Sequence, residues 1–421
     1  MIRLAAFAAL MLAGLTSPPS PAATPSREHW TGTWATAAQP TMPGRLTTFE
    51  NQSVRLIVHV SIGGPKLRVR LSNLYGDQPL VVGAAHVARR TQGADTLPGT
   101  DRVLKFGGKG SVTLAAHDEV WSDAVALEVP ALSDLAITLY LPGTAPATTA
   151  HTLALQTNYV SASGDATGAK EFPVAKTISI WPFLTGVDVA SSRKSAAIVA
   201  FGSSLTDGDG STEDANRRYP DYLAARLQKA FGNRFGVLNE GMIGNRMLHD
   251  SPRASPFGPL LGEPGLARFD RDVLGQSGVK HVIIALGVND IIFPAFPFVP
   301  AEERVTSADL VAAYRQLIMR AHARGVRAIG TTMPPFESAK FEAFDLSLEL
   351  YTPERERMRT EVNEWVRRSG EFDAVLDFDA VVRDPARPTQ LLPKYASEDR
   401  IHANDAGNAA QAAAIALEVF D

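Results

Sequence analysis

A hydroxyl, an imidazole and a carboxylate that meet in one place can cleave an acyl bond, so the search begins with residues able to fill those roles. The run Gly202-Ser203-Ser204-Leu205-Thr206-Asp207-Gly208 follows the apolar segment Ala196–Phe201 and puts hydroxyls just past the end of a buried strand, where a nucleophile can be presented. It is not the G-x-S-x-G elbow, because Thr206 stands where the second glycine would be. Near the C-terminus, Ser397-Glu398-Asp399-Arg400-Ile401-His402 spaces an acid and a histidine three residues apart on one turn. That spacing lets the imidazole face a nucleophile while the carboxylate orients its other nitrogen.

Two further strand ends carry groups that could hold an oxyanion. Asn239-Glu240-Gly241-Met242-Ile243-Gly244-Asn245-Arg246 has glycines that let a backbone N–H approach a ligand. Gly287-Val288-Asn289-Asp290 offers a side-chain amide. Each block has an ordinary reading as well: a polar loop serine, a tight turn, a helix-cap asparagine. Of the nine histidines, only His402 combines a loop at the expected sheet edge with a nearby acid; Asp377 and Asp379 are rival acids after another strand.

The elements that must position these groups divide the chain in two. From Trp30 to Val160, short runs rich in Val, Ile and Leu, such as Val54–Ile62, Leu67–Leu71 and Leu135–Leu141, alternate at period two between turn residues. They predict an all-β sandwich. Residues 161–194 are mixed and are expected to wrap between the halves. From Ala196 the pattern becomes strand, loop, helix: helices are expected over Tyr219–Phe231, Ser307–Arg324, Pro353–Arg368 and Ala406–Val419, and strands over Gly236–Asn239, His281–Leu286, Val326–Thr331 and Ala374–Phe378. Such alternation predicts a parallel sheet covered on both faces, with ligands at the carboxyl ends of its strands. The expected division is a leader at 1–23, a β-sandwich unit with linker at 28–190 and a catalytic unit at 192–421.

Composition narrows the function classes. With 421 residues, 45% apolar and 20% charged, the chain can bury about two cores. A net charge of −4, with 41 basic and 45 acidic residues and no like-charge block, argues against nucleic acid as a partner. The absence of cysteine removes thiol nucleophiles and thiolate metal sites. Arg3, the apolar run Leu4–Leu15 and the small residues Ser20-Pro21-Ala22-Ala23 read as an export signal, giving a secreted or periplasmic protein with no stable membrane span. Asp207-Gly208-Asp209-Gly210-Ser211 begins like a calcium loop, but the twelfth position is Arg218 where glutamate is needed. No metal and no cofactor is expected.

Taken together, the four blocks resemble the SGNH (GDSL-type) hydrolase family over roughly Ala196 to the C-terminus, and the β-rich first half resembles that of two-domain bacterial members. The resemblance implies a flavodoxin-like parallel sheet with helices on both faces (the SGNH hydrolase fold) preceded by an all-β sandwich. It implies Ser204 as nucleophile, Asp399 and His402 as its partners, and an oxyanion hole from the N–H groups of Ser204 and Gly244 and the amide of Asn289. The family usually has Asp before the nucleophile; here that position is Ser203, which keeps hydrogen-bonding capacity without the charge. The expected substrate is a small-molecule or polysaccharide ester, with short acyl groups such as acetyl removed from carbohydrate. Lipid or aryl ester hydrolysis and acyl transfer by the same serine are the alternatives, and no oligomeric state follows.

Overall fold

The computed structural model describes residues 28–42, 44, 46–343 and 346–421; the expected leader at 1–23 lies outside them. The second half is built on five parallel strands, β1 (Ala196–Gly202), β2 (Phe235–Gly241), β3 (Val279–Ala285), β4 (Arg327–Thr331) and β5 (Ala374–Leu376), in the order β2-β1-β3-β4-β5. That is the flavodoxin-like arrangement, whose ligands bind where the strand order reverses. The reversal lies at the ends of β1, β2 and β3, the strands that precede Ser204, Gly244 and Asn289.

Strand β1 is buried on both faces, and its side chains alternate between two cores. Ala197, Val199 and Phe201 face a core shared with the helices Ser307–Ala323 and Pro353–Arg368, through Leu310, Tyr314, Val362 and Val366. Ala196, Ile198 and Ala200 face another, filled by Tyr219, Leu223 and Leu227 of the helix Tyr219–Phe231 and by Ala412 of Asp405–Ala414. Local chemistry starts two of these helices: Thr306 accepts from the Asp309 N–H, and Thr352 from that of Arg355, with Pro353 in the first turn. The last helix is shorter than its sequence suggests. It stops at Ala414, and Ile415 turns extended before a short helical turn at Leu417–Phe420. Beyond the break, Phe420 is buried against Phe235 and His281.

The first half forms two main antiparallel sheets, of five and six strands, packed over a core that includes Val54, Leu56, Val58, Val69, Ile137, Leu139 and Val187, with smaller sheets of three and two strands beside them. The connector expected at 161–194 is instead largely strand. Leu184–Ala190 pairs with both Trp30–Ala35 and Gly64–Ser72, which makes it interior. Asp188 is tolerated there because Arg68 donates to it twice and Ser277, from the other half, donates a third hydrogen bond at 2.6 Å.

The halves meet along β2, the edge of the parallel sheet. Val237 N–H donates to Ser61 Oγ at 2.9 Å and Gly32 N–H to Ser277 O at 3.0 Å. A Cβ on Gly236 would stand 2.1 Å from the carbonyl oxygen of Gly32, so only glycine allows this approach. The sandwich thereby covers a sheet edge that would otherwise expose unpaired backbone. Among the described residues, no helix is long and apolar enough to cross a membrane.

Candidate active site

The chain turns sharply after β1 into a one-turn helix, α1 (Ser204–Asp207), so Ser204 opens a helix at the strand end. Its Oγ lies 2.8 Å from His402 Nε2, and His402 Nδ1 lies 2.5 Å from Asp399 Oδ2. An ionised carboxylate only accepts, so Nδ1 carries the proton, Nε2 accepts, and the Ser204 hydroxyl donates to it. The other Asp399 oxygen accepts from Ser397 Oγ at 2.6 Å and from the N–H groups of Ile401 and His402, each at 3.0 Å. The three-residue spacing works because the turn folds the acid back under its own histidine.

Electrostatics favour this proton arrangement. Burial alone would raise Asp399, but the hydrogen bonds from His402 and Ser397 hold it well below the usual carboxylate range. Burial alone would lower His402, yet the Asp399 hydrogen bond and the charges of Asp209, Asp399 and Asp207 raise it on balance. Asp209, which the sequence placed only in a calcium-loop-like run, joins this site. Its Oδ2 stands 3.7 Å from His402 Nε2, on the face turned toward Ser204. Burial pushes its own carboxyl upward, offset in part by His402.

Gly244 turns with φ of +66°, and a Cβ there would meet Leu261 Cδ2 at 2.5 Å, so glycine is required twice over. Among the described residues, neither the N–H of Gly244 nor that of Ser204 has an acceptor from the chain. Asn289, in the short helix Val288–Ile292 after β3, donates one amide hydrogen to Asn245 O at 2.9 Å, which leaves its other hydrogen for the cavity. Next to it, Asp290 accepts from Met247 N and Leu248 N at 2.7 and 3.0 Å and fixes the segment after Gly244; burial raises its carboxyl to about 6.

Ser204, Gly244, Asn289, Asp399 and His402 all line one half-open cavity of about 420 Å³. Its walls are chiefly apolar: Phe257, Phe293, Phe296, Leu260, Ile292 and Phe341, with Met42 contributed by the first half. Phe341 comes from a separate hairpin, Lys340–Ala343 paired with Leu346–Glu349. Phe298 stacks on Phe296, with ring centroids 5.1 Å apart. The rival acids are occupied elsewhere: Asp379 is bound by Arg359, Arg367 and Arg383, and Asp377 by Arg367 and Thr332. Ser203 is fully buried, and its hydroxyl has no hydrogen-bond partner among the described residues.

A buried arginine absent from the sequence reading ties these strand ends together. Arg268 donates to Gly202 O at 2.8 Å, Glu240 O at 2.9 Å, Asn245 Oδ1 at 3.0 Å and Asp272 Oδ2 at 3.0 Å. Its guanidinium lies over the Phe201 ring, 4.2 Å from the centroid. Nothing in its local sequence marks it, because three of its four acceptors lie 23, 28 and 66 residues away.

Residues 200–410 match the model of the GDSL-like lipase/acylhydrolase family. Among solved structures, the chain is similar to a Mycobacterium smegmatis aryl esterase (21% identity, 54% of this chain and 99% of that one, TM-score 0.40). It is also similar to a Geobacillus acetyl-xylooligosaccharide esterase (21%, 53% and 94%, TM-score 0.38) and a GDSL-like lipase from Bacteroides thetaiotaomicron (18%, 55% and 90%, TM-score 0.37). No curated protein matches. With half of its length matched by the family model, the chain belongs to the GDSL-like lipase/acylhydrolase family and is a serine ester hydrolase.

Proposed function

We propose that Ser204, His402 and Asp399 are the catalytic triad and that the substrate is an ester with an apolar acyl or aryl group. The observation that carries this is the continuous Ser204–His402–Asp399 hydrogen-bond chain at the mouth of a phenylalanine-lined cavity. His402 Nε2 takes the Ser204 proton as Oγ attacks the ester carbonyl. The oxyanion then accepts from the N–H groups of Ser204 and Gly244 and from the Asn289 amide. Collapse expels the alkoxide, which His402 protonates. Water, deprotonated by the same imidazole, then attacks the acyl-serine and releases the acid and Ser204.

The cavity favours the lipid or aryl alternative over deacetylation of carbohydrate. Phenyl rings offer a sugar hydroxyl no hydrogen-bond partner, whereas burial of acyl carbons in them is favourable. The test is acid release from p-nitrophenyl esters, acetate to octanoate, and from acetylated xylan, by wild type and Ser204→Ala. Turnover should vanish in Ser204→Ala, and butyrate should exceed acetate in kcat/KM on the order of tenfold, from about 0.8 kcal/mol per buried methylene. Equal turnover in the two proteins would refute Ser204 as nucleophile; preference for acetylated xylan over every longer acyl ester would refute the apolar substrate.

A further inference from the structure

Besides Met42 in the cavity wall, the first half of the chain reaches the elements of this site through a histidine. His151 ends the short strand Thr149–His151 of the sandwich half, and its ring packs against Trp181, with centroids 5.7 Å apart. Nδ1 lies 2.9 Å from Ala37 O, and Nε2 lies 2.9 Å from Asp207 Oδ1. Both side chains are almost wholly buried, at 2% and 3% exposure. A carbonyl can only accept, so Nδ1 is the donor to Ala37. The Nε2–Asp207 contact then holds one shared proton, and the pair is neutral overall whichever partner carries it. A carboxylate this deep in the protein without that partner would be strongly penalised.

Asp207 is the last residue of α1, the turn of helix that begins with Ser204. Its other oxygen, Oδ2, accepts from Ile243 N–H at 3.1 Å. Ile243 immediately precedes Gly244. A single carboxylate therefore joins the nucleophile's helix to the turn that presents the Gly244 N–H, and His151 sets how that carboxylate is rotated. Gln39, also from the first half, donates to Leu260 O at 2.9 Å and braces the cavity wall beside Leu261, against which Gly244 packs.

We infer that His151 is a positioning residue of the active site: by fixing Asp207 it sets the distance between Ser204 and the Gly244 oxyanion donor, which makes the sandwich half a structural part of the catalytic centre. This rests on the proposed roles of Ser204 and Gly244. Without the His151 donor, Asp207 Oδ1 is left buried with no partner, the carboxylate turns, and the Ile243–Gly244 turn shifts against Ser204. Such a shift weakens transition-state contacts and leaves the acyl-binding walls in place, so the effect falls on kcat.

The two ring nitrogens can be separated by substitution. His151→Gln places an amide donor where Nε2 was and keeps the link to Asp207, whereas His151→Asn keeps only the donor toward Ala37. In the full chain with p-nitrophenyl butyrate, Asn should lower kcat by roughly 10- to 100-fold with KM within about twofold of wild type, as expected for displaced oxyanion donors. Gln should restore kcat to within about threefold of wild type, since its donor reaches the same carboxylate. Wild-type kcat in the Asn variant would overturn the inference. So would a loss that Gln shares with Asn, a loss carried by KM, or failure of both variants to fold, each of which makes His151 a stabilising residue alone. Ser204→Ala, run in parallel, separates the two failures. If it is as active as wild type, the nucleophile is wrong; if it is inactive while the His151 series is flat, only the positioning role falls.

Discussion

His402 sits between two carboxylates with different consequences. Asp399 grips Nδ1 and fixes the tautomer, whereas Asp209 faces Nε2 from 3.7 Å and adds negative potential where the proposed mechanism brings the serine proton. Both favour the imidazolium, so the raised His402 moves the acid limb of the rate profile above that of an isolated imidazole. In its proposed role as base, His402 acts only when neutral, and activity is therefore expected to rise with pH through this titration. Asp209→Asn removes one negative charge and should move the acid limb of kcat/KM to lower pH, read from the pH profile on a neutral ester. An unmoved or upward limb would show that Asp209 does not act on His402.

At the scale of elements, the site is assembled from the ends of β1, β2 and β3 and from the loop before the final helix. Loops hold such geometry only when something rigid braces them, and Arg268 is that brace, joining Gly202 O, Glu240 O and Asn245 Oδ1. Its planar fork reaches acceptors in several directions, which a lysine ammonium on a flexible stem does not reproduce. Arg268→Lys should cost about 2 kcal/mol or more through buried acceptors left unpaired, measured as a lower urea midpoint. A midpoint equal to that of wild type would show that the fork geometry is dispensable.

Across the whole molecule, the sandwich covers the β2 edge and supplies Met42 to the cavity and His151 to Asp207. The closeness of the halves depends on Gly236. Gly236→Ala drives a methyl into the Gly32 carbonyl; overpacking of this kind costs about 1–3 kcal/mol, and it should lower the unfolding midpoint while Ser204, His402 and Asp399 stay intact. Unchanged stability would mean the halves can part at this seam without penalty.

Much of this protein was legible from local pattern. Strand β1 is a run of apolar residues and helix Pro353–Arg368 opens on proline; each follows from a periodicity or a start signal that spans few residues. Ser204, Gly244, Asn289, Asp399 and His402 could be named because each follows a strand end or sits on one short turn, and because the four blocks together resemble a known family. What local pattern did not hold were the partners brought together by folding. Asp209 sits in a run that begins like a calcium loop, and only folding brings His402 beside it; Arg268 carries no local signal, and three of its four acceptors are distant in sequence. Leu184–Ala190 reads as connector because it ends a mixed stretch interrupted by Gly164, Gly168, Pro173 and Pro182, and its strand partners Trp30–Ala35 and Gly64–Ser72 are found only in the folded chain. His151 lies in the half that carries no catalytic motif, so only the docking of one half on the other decides that it faces Asp207. Periodicity and capping act between neighbours in sequence, whereas a buried hydrogen bond or a shared cavity depends on where distant segments come to rest.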